Sequence, residues 1–194
     1  MVILSLALAA CLAGSSHAAG ADRLYAVSFN GSLFPPGTGL VNDTANVTGD
    51  VYLYQIDMAG ARILSSIRLD EPAYFLVASP SGDRMYLTNG RSKNITVVDP
   101  VNQSIAGKFY LNNSIAGIAL SPDGLQLYAL LPDLREIYAI DAVNGTVGAI
   151  IRVNNTPYDL TIAPDGKRIY AVDSRNDSIA VIDVEANRQS AIIH

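Results

Sequence analysis

The sequence is poor in the residues that most often carry catalysis and redox chemistry. Its 194 residues include one cysteine, two histidines and no tryptophan. A single cysteine excludes a disulfide within one chain. His17 lies near the amino terminus and His194 ends the sequence, so an acid–base or metal site built on histidine is not expected between them. No cofactor-binding motif is present, and no cofactor is expected.

Charge is scarce as well, and positive charge is scarcer than negative. Charged residues make up 16% of the chain, with 13 lysines and arginines against 18 aspartates and glutamates. A chain without a basic stripe cannot neutralise a phosphate backbone, so nucleic acid is not an expected partner. Apolar residues reach 49%, which is enough for a buried core and argues against disorder.

An apolar, uncharged run opens the chain. Residues 2–14 read VILSLALAACLAG and lead into the small residues SSHAAGA. This pattern predicts a signal peptide over residues 1–21 and a secreted or cell-surface protein. The LAAC segment also resembles the lipobox of exported lipoproteins, which makes Cys11 a candidate for lipidation and gives lipid anchoring as an alternative.

One ten-residue stretch recurs three times with little change. SPSGDRMYLT occupies 79–88, SPDGLQLYAL occupies 121–130 and APDGKRIYAV occupies 163–172, each 42 residues after the last. The aspartates that end the next apolar segment keep the same spacing: Asp57, Asp99, Asp141 and Asp183. A repeat of about 40 to 45 residues is the length of a β-propeller blade.

Each 42-residue unit predicts four short strands. In the third unit AGIAL, LQLYAL, REIYAI and TVGAIIRV are separated by turn residues, including Pro122-Asp123-Gly124 and Asn144-Gly145. Proline presets φ for a turn, and glycine supplies the positive φ that a hairpin requires. The predicted fold is therefore all-β, a β-propeller of four-stranded blades.

The predicted blades do not complete a ring. The first unit begins with a strand at Leu24, so it is expected to lack its inner strand, and four blades is the low end for a closed propeller. We expect an open arc or incomplete ring, either a fragment or a half completed by a second copy; a self-closed four-bladed ring is the alternative. The predicted boundaries are a partial blade at 22–70 with a loop insertion at 29–50, then blades at 71–112, 113–154 and 155–194.

The fourth unit resembles a known repeat family. APDGKRIYAVDSRNDSIAVIDVEANRQSAII at 163–193 is similar to the YVTN-type β-propeller repeat of archaeal and bacterial surface and secreted proteins. The matching positions are Pro164-Asp165-Gly166, Tyr170-Ala171-Val172, Asn176-Asp177-Ser178, Val181-Ile182-Asp183 and Asn187. The third unit departs from this pattern with LLPDLREIY. The resemblance implies a propeller with an adhesive, surface-layer or unassigned role, since only a minority of that family are enzymes.

Candidate ligand-contacting residues lie in loops that are expected to share one face of the blades. These are Asp70, Glu71, Asp133, Asp173, Arg175 and Asp177. Such a rim suits a cation or a basic partner, or is a solvated surface. The four periodic aspartates are interpreted as turn caps rather than as a metal site. Tyr86, Tyr128 and Tyr170 are interpreted as blade-packing residues with locally satisfied hydroxyls.

The sequence also contains nine Asn-x-Ser/Thr triplets, which are acceptor sites for glycosylation when they lie on loops of exported proteins. Turn-rich composition is the alternative explanation. The asparagines are Asn30, Asn42, Asn46, Asn94, Asn102, Asn112, Asn144, Asn154 and Asn176.

These patterns predict an exported, non-catalytic β-propeller that serves as a cell-surface scaffold or binds a protein or glycan. One alternative is a hydrolase that resembles the lactonase propellers, with a divalent metal at the channel mouth. Another is a fragment without independent activity. An enzyme needs several polar side chains converging on one pocket, and this requirement distinguishes the hydrolase from the scaffold. No catalytic and no metal-binding residue is assigned.

Overall fold

The computed structural model describes residues 11–12, 23–29, 51–57, 62–88 and 93–194. All regular secondary structure in these residues is β-strand, which confirms the predicted all-β class. In the described part of the chain sixteen strands form four antiparallel sheets, and in each sheet the strands follow one another in chain order. A helix of the length and apolar character needed to traverse a bilayer is not found in this described part of the chain.

The four sheets are consecutive along the chain, and each contains four strands. The strands are, sheet by sheet, β1 (Cys11–Leu12), β2 (Arg23–Phe29), β3 (Val51–Asp57) and β4 (Arg62–Leu69); β5 (Phe75–Ala78), β6 (Met85–Thr88), β7 (Asn94–Asp99) and β8 (Ser104–Tyr110); β9 (Gly117–Leu120), β10 (Gln126–Leu131), β11 (Glu136–Asp141) and β12 (Val147–Arg152); and β13 (Asp159–Ile162), β14 (Arg168–Asp173), β15 (Ser178–Asp183) and β16 (Arg188–Ile193).

The first sheet differs from the prediction at its inner strand. Cys11 and Leu12 pair with Tyr25 and Leu24, so β1 occupies the position that was expected to be empty. An apolar run is as compatible with a buried strand as with a leader, and composition alone cannot distinguish the two. Cleavage after residue 21 would remove β1. The rest of the predicted signal peptide and residues 30–50 of the predicted insertion lie outside the described residues.

The 42-residue period appears in the backbone as well as in the sequence. Gly82, Gly124 and Gly166 occupy equivalent turn positions and have φ values of 71°, 76° and 71°. Every sheet also has a β-bulge at the same place in its third strand: Gln55/Ile56, Val97/Val98, Ala139/Ile140 and Val181/Ile182. Because a bulge increases local twist, a bulge at one fixed position gives each sheet the same deformation and favours stacking.

The apolar core lies between successive sheets. One cluster joins the first and second sheets, the next joins the second and third, and the last joins the third and fourth. Adjacent residues of β10 illustrate this: Leu130 packs towards the fourth sheet and Leu131 towards the second, and both are fully buried. The continuous apolar runs of the sequence thus belong to sheets that are covered on both faces.

The first strand of each sheet contacts the first strand of the next, from β1 through β5 and β9 to β13. Such side-by-side inner strands are consistent with a β-propeller. No closure of the four sheets into a ring is seen among the described residues.

Specific contacts reinforce the stacking. The Tyr86 hydroxyl donates to the carbonyl of Ala142 in the third sheet at 2.7 Å, so its partner is in the next sheet and not local as expected. A Cβ on Gly145 would clash with the ring of Phe109 in the second sheet, and a Cβ on Gly124 would lie 2.9 Å from Pro80. The glycines therefore allow each sheet to approach the one before it.

Replacing Tyr86 by Phe removes the hydrogen bond between the second and third sheets and leaves a buried carbonyl without its donor. We expect a loss of about 1 kcal/mol in the free energy of unfolding. The matched control is Tyr110→Phe, because Tyr110 is 70% exposed in the same sheet. Urea unfolding of the two variants measures the difference, and equal stability of both would contradict the role given to the hydroxyl.

Replacing Gly124 by alanine is disfavoured by both backbone conformation and a close contact, whereas replacing Gly82 by alanine is disfavoured by backbone conformation alone. Both glycines have positive φ, which costs an L-residue about 1 to 2 kcal/mol. Only Gly124 also faces the ring of a neighbouring proline, since nothing lies within 4 Å of a Cβ on Gly82. We expect Gly124→Ala to lower the thermal unfolding midpoint more than Gly82→Ala does. A reversed order would show that the turns of neighbouring sheets do not pack against each other.

Candidate functional site

The connections between strands emerge alternately at the two ends of each sheet, because the strands are antiparallel. One end carries the Ser-Pro-Asp-Gly turns and the turns after the periodic aspartates. The other end, named here the loop face, carries the connections between sheets and the loops between second and third strands. Its described loops are 70–74, 111–116, 132–135, 153–158 and 174–177. All six predicted ligand-contacting residues lie on or at the start of these loops.

Asp70 and Glu71 do not form a free acidic rim. The Lys108 ammonium lies 2.8 Å from a carboxylate oxygen of each, and Lys108 belongs to the second sheet. Burial acts to lower the pKa of Lys108, but the hydrogen bonds that its ammonium donates to Asp70 and Glu71 outweigh this effect, and the pKa is raised. The two carboxylates are therefore paired within the protein. They fix the connection between the first and second sheets.

Asp173 is turned into the protein. The residue is 1% exposed. Its carboxylate accepts from the Asn176 side-chain amide at 2.8 Å, from the Thr156 backbone N–H at 2.8 Å and from the Arg175 backbone N–H at 3.0 Å. The hydrogen bond from Asn176, followed by that from Thr156, lowers the pKa of Asp173. Asp173 thus joins two loops of the loop face and holds both in place.

Four of the predicted residues are exposed to solvent: Asp70, which is paired with Lys108, and Asp133, Arg175 and Asp177. Arg175 and Asp177 occupy one four-residue loop, and Asp177 has a left-handed backbone with φ of 45°. Asp173 anchors this loop from below through the Arg175 N–H and the Asn176 side chain. Asp133 lies in the corresponding loop of the third sheet. The loop face therefore presents an exposed pair of opposite charges on an anchored backbone.

Asn155 is a residue of the loop face that sequence reasoning missed. It is 8% exposed, and its side-chain nitrogen lies 3.5 Å from the Ser178 hydroxyl. Its side-chain oxygen is the one buried side-chain polar atom in the described residues that has no hydrogen-bond partner. In the sequence Asn155 is only the middle residue of a glycosylation triplet whose acceptor is Asn154. The alternation of exposed and buried positions in this loop is not evident from sequence.

The described residues enclose a cavity that is too small for a substrate. This cavity, beside Glu71 and between the first and second sheets, has room for about one water molecule. The hydroxyls of Thr88 and Thr96, which line it, each lie 3.5 Å from an oxygen of Asn94. No cluster of three or more histidine, cysteine, aspartate or glutamate side chains suited to a metal occurs in the described ranges either.

The periodic aspartates act as turn caps, as predicted. Asp99 accepts from the backbone N–H groups of Val101 and Asn102 at 2.9 and 2.8 Å. Asp141 and Asp183 accept backbone N–H groups in the same turn of the next two sheets. Hydrogen bonds from Asn102 lower the pKa of Asp99. Asp57 instead accepts from the exposed Arg62 at 3.2 Å.

The glycosylation triplets fall into three groups. Asn94 is half-buried, and Asn30, Asn42 and Asn46 lie outside the described residues. The remaining five are exposed: Asn102, Asn112, Asn144, Asn154 and Asn176. The Asn176 amide is already engaged with Asp173, so a glycan there would act on the loop that this bond anchors.

Comparison with known proteins bears on the fold. No family model matches the chain, and no curated protein matches it. Among solved structures 1270 chains match, including Kuenenia stuttgartiensis Hydrazine Synthase at a TM-score of 0.65 and 22% identity. The likeness is one of fold alone. It covers 75% of this chain and 46% of that one, so the chain spans less than half of that structure. A fold with so many matches does not select a function.

The anchoring role of Asp173 predicts a pH dependence. A carboxyl whose pKa is lowered by folding stabilises the fold above its ordinary value of 3.8 and loses that contribution as pH falls through the lowered value. Asp173→Asn should therefore be less stable than the parent at neutral pH, with a difference that shrinks below about pH 4. Thermal unfolding across pH measures this. The exposed Asp133→Asn variant is the control and should follow the parent throughout.

Proposed function

We propose that this chain is a non-catalytic β-propeller module that binds a protein or a glycan through its loop face at the cell surface. The observation that supports the proposal is which charged side chains of that face have partners within the protein and which are exposed on an anchored loop. Asp70 and Glu71 form ion pairs with Lys108, and Asp173 accepts hydrogen bonds within the protein. Arg175 and Asp177 are exposed on an anchored loop. Residues held in this way present a fixed surface to a partner, and binding residues are commonly found on loops that a rigid scaffold positions.

The proposal includes the finer architecture. We infer an open arc of about four blades, part of an incomplete ring, because the last sheet has one face packed on its predecessor and one face partly open. The resemblance to YVTN-type repeats supports a cell-surface role, and the predicted signal peptide supports export. Lipid anchoring through Cys11 and glycosylation of the exposed asparagines are compatible with this location.

A propeller hydrolase would require carboxylates that converge on a pocket and hold a divalent metal. The carboxylates of the loop face are separated instead: two pair with Lys108, and one is enclosed by amide donors. The binding module is therefore the better supported function, and a chelator distinguishes the two. We expect EDTA to leave the thermal unfolding midpoint unchanged; a marked drop that calcium or zinc restores would favour the hydrolase.

The binding role is tested by removing the exposed charges of the 174–177 loop. The labelled chain is applied to an array of defined glycans and to immobilised cell-envelope proteins. We expect Arg175→Ala combined with Asp177→Ala to weaken binding at least about tenfold without lowering the unfolding midpoint. The matched control is Glu185→Ala with Arg188→Ala, an exposed pair of the same charges at the opposite end of the same sheet. Binding that is lost with the control pair and kept with the loop pair would refute the loop face.

A further inference from the structure

The fourth sheet has one covered face and one free face. The free face of the fourth sheet is formed by Tyr170, Val172, Ile179 and Ile193, none of which belongs to the cluster buried against the third sheet. Ile193 is 51% exposed, and the other three are half-buried. Four apolar side chains thus lie together on one side of a sheet without a neighbouring sheet among the described residues.

The repeat shows what this face is built to contact. The residues 42 positions earlier, in the third sheet, are Tyr128, Leu130, Ile137 and Ile151. They are 3%, 0%, 0% and 0% exposed, because the fourth sheet covers them. The free face therefore continues an interface that already exists three times between the described sheets. Its complement is the side that each sheet turns towards its predecessor.

The first sheet presents that complementary side. The free face of the first sheet, which no other described sheet covers, carries Tyr52, Tyr54 and Ile56 on β3, all half-buried. Tyr54 is the repeat equivalent of Tyr138, which packs against the cluster between the second and third sheets. The rings of Tyr52 and Tyr54 lie 6.1 Å apart and form an aromatic surface. Each copy of the chain therefore holds both halves of one interface, on its first and last sheets.

The interface has a direction. Tyr86 of the second sheet donates to the third sheet, and Phe109 of the second sheet covers Gly145 of the third. Contacts therefore run from the later face of one sheet to the earlier face of the next. Two fourth sheets cannot reproduce this arrangement with each other. The association must be head to tail, which closes into a ring when the rotation permits.

We propose that the free face of the fourth sheet binds the free face of the first sheet of a second copy of this chain. The inference rests on the open arc proposed above. Two reciprocal junctions between four-sheet arcs would close a ring of eight sheets, the upper end of the usual range for propellers. The stability of each junction comes from the same apolar burial that joins the sheets within one chain.

The first experiment is sedimentation velocity of the whole chain across a dilution series. We expect a particle of twice the 20.6 kDa chain mass that dissociates on dilution. Tyr170→Glu and Tyr54→Glu should each give monomers, since every junction would then contain one charged face. The matched control is Ile150→Glu, because Ile150 is 52% exposed on the last strand of the third sheet and Ile193 is 51% exposed on the last strand of the fourth. This control should leave the dimer intact.

Mixing the two variants tests the head-to-tail geometry. Tyr54→Glu chains keep an intact fourth sheet and Tyr170→Glu chains keep an intact first sheet, so an equimolar mixture should regain dimers through one junction. Far-UV circular dichroism confirms that each variant is folded, and Ile193→Glu replaces Tyr170→Glu if it is not. A monomeric parent chain, dimers that survive either substitution, or a mixture that stays monomeric would overturn the proposal.

The loop face is kept separate from this result. Arg175→Ala with Asp177→Ala should bind more weakly to the array while remaining dimeric. Undiminished ligand binding by this dimeric loop variant would contradict the loop-face proposal alone, whereas a monomeric parent chain that still binds the ligand would contradict the junction alone. A result in which the loop variant alone became monomeric would also contradict the assignment of the junction to the sheet faces.

Discussion

The structure depends on one constraint: a four-stranded apolar sheet must be covered on both faces, and the material that covers it is another copy of the same sheet. The buried side chains of the described residues do not form one central core. They lie instead in a series of layers, each shared by two neighbours. Stability is then approximately a sum over adjacent pairs, as in other repeat proteins. The fold extends by repetition. Among the described residues, the outer faces of the first and fourth sheets are the two faces that no neighbouring sheet covers.

The spacing of a few residues was sufficient to predict the four strands of the second, third and fourth sheets, their order and the turn caps, but not the inner strand of the first sheet. Equivalent positions in the repeat have equivalent backbone geometry, so Asp99 and Asp141 could be assigned as caps from sequence. Burial could not be predicted in the same way. Tyr128 and Tyr170 hold identical positions in their sheets but differ in exposure, because only Tyr128 is followed by another sheet. Burial here is a property of the neighbour rather than of the residue.

The site was predicted less well, for a related reason. Sequence patterns correctly grouped the loops of the loop face, since antiparallel strands fix the end at which each loop emerges. They could not show that Lys108, 37 residues from Glu71, neutralises it, or that Asp173 points inward. Local spacing determines repeats and turns, whereas the partner of a charged side chain depends on which loops meet. The inner strand of the first sheet was missed for the converse reason, because an apolar run around Cys11 suits either a leader or a strand.

The two ends of the sheets differ in how much the residue type changes from one repeat to the next. At the turn end, Ser-Pro-Asp-Gly or a close variant recurs because all three turns place their glycine at positive φ, and Gly124 and Gly166 also approach the proline of the sheet before them. At the loop face, Leu131 of the third sheet and Asp173 of the fourth occupy the same repeat position and are equally buried. Either residue can be buried at this position, because the Asp173 carboxylate accepts hydrogen bonds from neighbouring N–H groups. The unpartnered oxygen of Asn155 lies beside this carboxylate network, in the same loop as Thr156. Departures from local consistency concentrate where a protein functions, and that reasoning directs attention to the loop face of the fourth sheet.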